Sequence, residues 1–385
     1  MTRSKILINK LPFFWRLRDS LNQQNVVPDF MPFEFDYDEH LNLIIQKRNN
    51  NTRKYLKKIY QENFNIGNIQ ESGYWSTDYA DDFIRFLNFS ISNRTSKVTS
   101  ILELGCGGCV LLKILKDQGY KVVGIDPSRF AVKAGRKRGV KVIQDFFPTK
   151  ELREKFDLIF HSDLIEHVTE PVEFLKLQRR QLKADGILVV ATPDCTESIT
   201  RGDISMILHQ HWNYFDKESL ENTVKEAGFY NIHIEKAKYG GNLYCFAEKT
   251  RKPKKVGSKT DFKKDKYLRF SSKQIRLTAS LKRYVDKRIS DERKTLGFYA
   301  PVRAFPYLAG MNLYQGFRFF DDNSYWHLKY FDGIGVTVEN FNDLRKNPPT
   351  NLIIMSPTFG DDIEQRIVKY FSGKIKTKKL TDFFE

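Results

Sequence analysis

Between residues 101 and 109 the chain reads Ile-Leu-Glu-Leu-Gly-Cys-Gly-Gly-Cys. An apolar run that passes straight into glycines is the pattern of a buried strand turning sharply into a helix. Gly105 and Gly107 let the backbone bend and approach a ligand more closely than any side chain permits, with Glu103 before the bend and Cys106 inside it. Asp126, followed by Pro127, ends the next apolar run, 21 residues beyond Gly105. An ionised aspartate there offers two acceptor oxygens, enough for both hydroxyls of a ribose; the alternative is a helix-capping role. Asp145 ends a third run, where it can accept from an adenine amino group with Phe146 against the ring, or be an ordinary strand-end acid.

The glycines at 105, 107 and 108 stop short of G-x-G-x-x-G. A dinucleotide needs the full pattern to seat its pyrophosphate at the helix N-terminus, whereas S-adenosylmethionine carries no phosphate and needs only close backbone approach. The turn therefore points to S-adenosyl-L-methionine as cofactor, held by Glu103, Gly105, Cys106, Gly107, Asp126, Pro127, Asp145, Phe146 and, from the fourth apolar run, His161. That run, FDLIFHSDLIEHV, is followed by Ser162, Asp163, Glu166 and His167, at the strand end where open α/β sheets place their ligands. Glu166 and His167 are adjacent, and adjacent side chains on a helix diverge by roughly 100°, so no metal site is expected. Cys106 and Cys109 form a C-x-x-C without a second pair, read as small residues filling a tight turn.

Further on, His209-Gln-His211-Trp-Asn-Tyr214-Phe brings two histidines close in sequence. A neutral imidazole suits proton removal near pH 7. His211 is the first candidate for the base and His209 the second, with Tyr214 and Asn213 as orienting groups; alternatively His211 is a scaffold residue packed on Trp212.

Elements must position these groups. From 99 to about 248, short β-branched runs alternate with amphipathic stretches, which predicts a mainly parallel sheet wrapped by helices. FDKESLENTVKEAGF is a helix with Asp216 to cap it, and NIHIEKAKYGGNLYCFAEK reads as an antiparallel pair joined through Gly240-Gly241. The stretch 1–95 reads as a helical lead-in, 96–249 as the cofactor domain, 250–294 as a basic linker and helix (the helix from about 270), and 295–385 as a smaller Rossmann-like α/β domain. That last domain's strand ends near Asp321, Asp322 and Asn323 can form a crevice for the acceptor or serve only a structural or dimer-forming role.

The net charge of +17 is concentrated: 249–294 holds 18 Lys and Arg against five Asp and Glu. A solvated face explains this, as does a surface for an acidic partner. Four scattered cysteines exclude a disulfide framework, and the absence of a long apolar run or leader pattern predicts a cytoplasmic protein with no transmembrane segment.

ELGCGGC, GIDPS, LIEHV, HQHWNYF and YGGNL, followed by GFYAPVR, FFDDN and IIMSPTFGDDI, resemble in order the sugar C-methyltransferase family, which acts on nucleotide-linked deoxysugars. The resemblance covers about three quarters of the chain. It implies an α/β class I methyltransferase sheet with an antiparallel closing hairpin, a second smaller Rossmann-like domain, and a sugar or nucleotide-sugar substrate in polysaccharide or secondary-metabolite biosynthesis. The family's N-terminal zinc module has no counterpart, since the first cysteine is Cys106. Leu208 and Gln210 stand where the family has Tyr and Glu, so the resemblance implies sugar-linked methyl transfer without fixing the atom methylated. Methylation of RNA or of an oxygen on another small molecule is a second reading, RNA being disfavoured because the basic segment has few aromatics on which bases could stack. A third is a non-catalytic cofactor-binding scaffold, and a homodimer is compatible with all three.

Overall fold

The computed structural model describes residues 6–13, 17–18, 27–61, 76–94, 97–249, 265–313, 315–331 and 334–384. The basic linker expected at 250–264 lies outside the described residues. The chain divides into two compact units, one of 37–196 and 210–263, the other of 1–36, 197–209 and 264–385.

In the first unit the elements run α1 (Asn50–Gln61), α2 (Ser76–Ser92), β1 (Ser100–Leu104), α3 (Val110–Asp117), β2 (Lys121–Ile125), α4 (Arg129–Arg138), β3 (Lys141–Ile143), β4 (Phe156–Ser162), α5 (Pro171–Gln181), β5 (Leu182–Pro193), α6 (Lys217–Glu226), β6 (Tyr230–Lys236) and β7 (Asn242–Glu248). The sheet order is β6-β7-β5-β4-β1-β2-β3. The pairs β1–β2, β1–β4, β2–β3 and β4–β5 are parallel, and β7 enters antiparallel between β5 and β6. All five residues of β1 are buried, as a central strand covered on both faces requires. Its alternate residues serve separate cores: Leu102 and Leu104 pack with Ile159, Phe174 and Leu175, while Ile101 packs with Phe83, Leu111 and Phe160. Ser128 caps α4 by accepting from the Ala131 amide, and Asp216 with Ser219 makes a reciprocal cap on α6.

The second unit carries a wholly parallel five-stranded sheet. Its order is Val338–Glu339, Arg318–Phe320, Leu296–Tyr299, Asn351–Ile354, Lys376–Lys379, so the order reverses between the third and fourth of these. The predicted smaller Rossmann-like domain is this sheet. The basic helix spans Asp265–Ile289, earlier at both ends than expected.

One expectation is corrected. The stretch 1–95 is not simply a helical lead-in: Leu7–Pro12 pairs antiparallel with Phe30–Asp38, and Leu43–Gln46 is a further strand before α1. The cause is visible in FMPFEFDYD, where Met31, Phe33, Phe35 and Tyr37 are buried and alternate with more exposed residues. That is the period of a strand, not of a helix. The units are also discontinuous, since 197–209 joins the segments at both ends of the chain rather than the cofactor domain.

Asp157 fastens β4 to the start of β1. One of its oxygens accepts from the amides and hydroxyls of Thr99 and Ser100 and from Lys183, at 2.9 to 3.0 Å. Burial alone would raise this carboxyl, but these donors hold it well below the usual carboxylate range. Asp157→Ala is expected to cost about 3 kcal/mol at neutral pH. Because the folded form binds its proton more weakly than the unfolded chain, that contribution is full above about pH 4 and fades as the pH falls further. Urea unfolding of both proteins across pH 3–8 checks this; a constant difference contradicts it.

Candidate active site

The glycine turn sits where β1 ends. Gly105 has φ +70° and Gly107 φ +43°, conformations that side chains with a Cβ rarely adopt. The Gly105 amide donates to the Ile125 carbonyl at 2.8 Å, and the Gly107 amide donates to Asp126 Oδ2 at 3.0 Å. The other Asp126 oxygen accepts from the Ser128 amide at 2.8 Å. Ser128, not Asp126, caps the following helix, so each aspartate oxygen keeps acceptor capacity for a ribose hydroxyl. Glu103 is buried and its Oε2 has no hydrogen-bond partner among the described residues. Burial, with Cys109 and Asp126 nearby, pushes its carboxyl well above the usual range. An orphaned carboxylate oxygen behind a glycine bend, with a diol-ready aspartate on the next strand, fits S-adenosylmethionine: a cationic amino acid end and a ribose.

Other predicted cofactor residues fall into two groups. Pro127 follows Asp126, and Asp145 lies just past β3, its Oδ1 accepting from the Phe146 amide at 2.8 Å. Cys106 is buried in the turn beside Cys109, whose hydrogen bond joins burial in raising the Cys106 thiol. His161 alternates with Phe160 along β4 and tilts against Phe174 of α5, 5.7 Å between centroids. Strand alternation thus aims it at the core holding Leu102 and Leu104, on the face away from Glu103. Burial lowers it to about 3.

Beyond β4 the chain makes a tight loop. Asp163 has φ +50°, a strained setting for an aspartate. It is held by Tyr79 of α2, whose hydroxyl donates at 2.7 Å, and by Asn242 of β7, whose amide donates at 3.0 Å. Tyr79 and Asn242 were not singled out from the sequence, although YGGNL held the clue. Gly240 has φ +83°, and a Cβ there would lie 2.6 Å from the Tyr79 ring. Leu164, next in the loop, lies within 3.4 Å of where a Gly105 Cβ would sit, which joins this loop to the glycine turn.

Residues Ile165–His167 form one 3-10 turn. The 210–214 segment lies along it: the Trp212 amide donates to the Glu166 carbonyl at 2.7 Å, and the Asn213 side chain donates to the Ile165 and Val168 carbonyls at 3.1 and 2.7 Å. His211 is thereby set beside His167, with ring centroids 4.9 Å apart, and 6.3 Å from the buried ring of Tyr214. The divergence expected of Glu166 and His167 is not what the structure shows. Donor atoms of Glu166, His167 and His211 all lie within 4.8 Å of one another, because the third comes from 44 residues away and the first two sit on a turn rather than a regular helix. Burial raises the Glu166 carboxyl well above its usual range and lowers His167 to about 4.

His209, the second candidate base, belongs to the other unit. It is buried against Phe13 and Phe33, 5.1 and 5.7 Å between centroids, with Nε2 3.4 Å from the Pro32 carbonyl, and burial lowers it to about 4. In that unit Asp322 accepts from the Tyr299 hydroxyl at 2.7 Å and pairs with Arg366 at 2.6 Å, while burial raises Asp321 to about 6.

A parallel sheet closed by an antiparallel strand, with a glycine turn and a ribose-ready aspartate at adjacent strand ends, defines the class I S-adenosylmethionine-dependent methyltransferase fold. Residues 74–234 match the family described as Methyltransferase domain, so the chain contains such a domain. C-methyltransferase NovU of Streptomyces niveus is 24% identical over 244 residues, 58% of this chain and 58% of that protein. Ubiquinone biosynthesis O-methyltransferase of Bradyrhizobium diazoefficiens is 30% identical over 102 residues, 24% of this chain and 39% of that protein. The chain thus spans less than two thirds of the length of these relatives. The solved structure of N-methyltransferase NodS from Bradyrhizobium japonicum with S-adenosyl-L-homocysteine is 15% identical, with TM-score 0.38, covering 52% of this chain and 99% of that one.

Two outcomes are expected. Asp126→Ala should weaken S-adenosylmethionine binding at least roughly tenfold in equilibrium dialysis, since it removes two acceptors and frees the Gly107 amide; unchanged affinity contradicts the assignment. Gly240→Ala should lower stability by about 2 kcal/mol or more in denaturant titration, from backbone strain and collision with Tyr79. A neutral result there would mean that Tyr79 is not fixed against this turn.

Proposed function

We propose that the chain transfers a methyl group from S-adenosylmethionine to a sugar or nucleotide-sugar. The observation that carries this reading is the meeting of HQHWNYF and YGGNL, the segments most specific to the sugar-methylating resemblance, at the loop after β4: His211 beside His167, and Asn242 on Asp163. The same loop touches the glycine turn through Leu164, so an acceptor held there is next to the donor's seat. The name of the Streptomyces relative, a C-methyltransferase, supports carbon as one acceptor atom, and the ubiquinone relatives support oxygen.

When bound, S-adenosylmethionine supplies an already activated methyl group on a sulfonium. The protein's tasks are then to hold the donor, align the acceptor and manage its proton. Glu103, Gly105, Gly107 and Asp126 do the first. Tyr79, Asp163 and Asn242 form a rigid polar wall that orients the acceptor, and activation of the acceptor depends on His211, with Tyr214 steadying its ring.

Incubation with labelled S-adenosylmethionine and a panel of nucleotide-sugars, read by mass spectrometry, should yield a singly methylated sugar. His211→Ala should lower that rate by roughly a hundredfold or more while leaving donor affinity nearly intact. Full activity in the variant would remove His211 from the reaction, and no methylated sugar from any donor-binding preparation would defeat the sugar reading.

A further inference from the structure

We propose that Glu166, His167 and His211 form a binding site for a divalent first-row transition cation. His167 Nδ1 lies 3.0 Å from the Gln210 carbonyl oxygen, which can only accept. The proton is therefore on Nδ1, and Nε2 turns its lone pair toward Glu166 Oε1, 3.8 Å away. Fixing one imidazole nitrogen on a backbone carbonyl so that the other can ligate is the usual outer support of a metal-bound histidine. Glu166 is supported in the same way, since its Oε2 accepts from the Thr192 hydroxyl at 2.9 Å.

The independent observation is Glu166 Oε1 itself. Its side chain is 2% exposed, and this oxygen has no hydrogen-bond partner among the described residues. A buried carboxylate oxygen left unsatisfied is costly, and this one lies within 4.8 Å of ligating nitrogens of two imidazoles. A cation between them removes the cost. Ligand atoms bound at about 2.1 Å stand roughly 3 to 3.5 Å apart, so the observed spread of up to 4.8 Å needs about 1 Å of closure, within reach of small side-chain rotations.

Two imidazoles and one carboxylate choose the metal class. Magnesium and calcium prefer oxygen-only shells, while zinc, cobalt, manganese and iron accept this mixture. Asp163 is not a fourth ligand, as its oxygens are not among the donor atoms that converge there and are directed to Tyr79 and Asn242. Three protein ligands leave coordination positions open, which is the arrangement of a site that binds a further oxygen. That this oxygen is the acceptor's rests on the proposed function; the existence of the site does not. His211 then acts as a ligand that places the acceptor rather than as its proton acceptor.

The full chain, stripped with chelator, is titrated with Co2+ and with Zn2+ by calorimetry, and the cobalt form is read by visible absorption. One equivalent is expected, with nitrogen- and oxygen-ligand bands and no thiolate charge-transfer band. Glu166→Gln and His211→Ala should each weaken binding at least tenfold, with melting temperature as the folding check. If Glu166→Gln does not fold, His211→Ala, at a partly exposed position, carries the comparison. No saturable binding, or equal binding in the variants, overturns the site. Cation binding without methylation of any sugar upholds the site and defeats the acceptor reading; methyl transfer at full rate in metal-free protein defeats the cation's part in it.

Discussion

The hydrogen bond from the Gly107 amide to the Asp126 carboxylate ties the end of one strand to the end of its neighbour, and the seat proposed for the cofactor depends on it. It exists only because β1 and β2 run parallel in register, with Leu104 opposite Ile125, so that both chains leave the sheet side by side. It also requires glycine: the turn passes through positive φ at 105 and 107 before α3 starts. One carboxylate is thus fixed without being consumed, since each of its oxygens accepts from a single backbone amide and retains acceptor capacity. Strand pairing and turn chemistry meet in that contact, at the place proposed for ligand recognition.

A second constraint acts on the neighbouring strand. After β4 the loop is held from three directions, by Tyr79 from α2, by Asn242 from β7 and by the 210–214 segment through Trp212 and Asn213. Such cross-bracing is what allows Asp163 to remain strained and Glu166 to remain buried with an unsatisfied oxygen. Polar groups held against their preference are the reason the acceptor is proposed to meet the domain at this loop.

Much of the cofactor domain was legible in the sequence because its signals are local. The continuous apolar run of β1, the glycines after it, Asp126 at the next strand end and the Asp216 cap each announce themselves within a few residues. Two kinds of feature were not legible. Short strands before α1 escaped because Pro32 and acidic residues mask an alternation that burial makes plain. The other kind is long-range: Tyr79 reaches Asp163 across 84 positions, and Glu166 and His167 looked divergent until a segment 43 to 47 residues downstream supplied the backbone that orders them. Adjacency also misled. His209 and His211, two residues apart, lie in different units, and His161, within the right strand, faces the core.

Whether the glycine turn and Asp126 seat the donor is read most directly by calorimetric titration of the chain with S-adenosyl-L-homocysteine, the demethylated form of the donor, which shares its adenosine and amino acid parts. Saturable binding at one site per chain with micromolar affinity is expected. Absence of any heat or saturation across millimolar ligand, in protein shown to be folded, would contradict it.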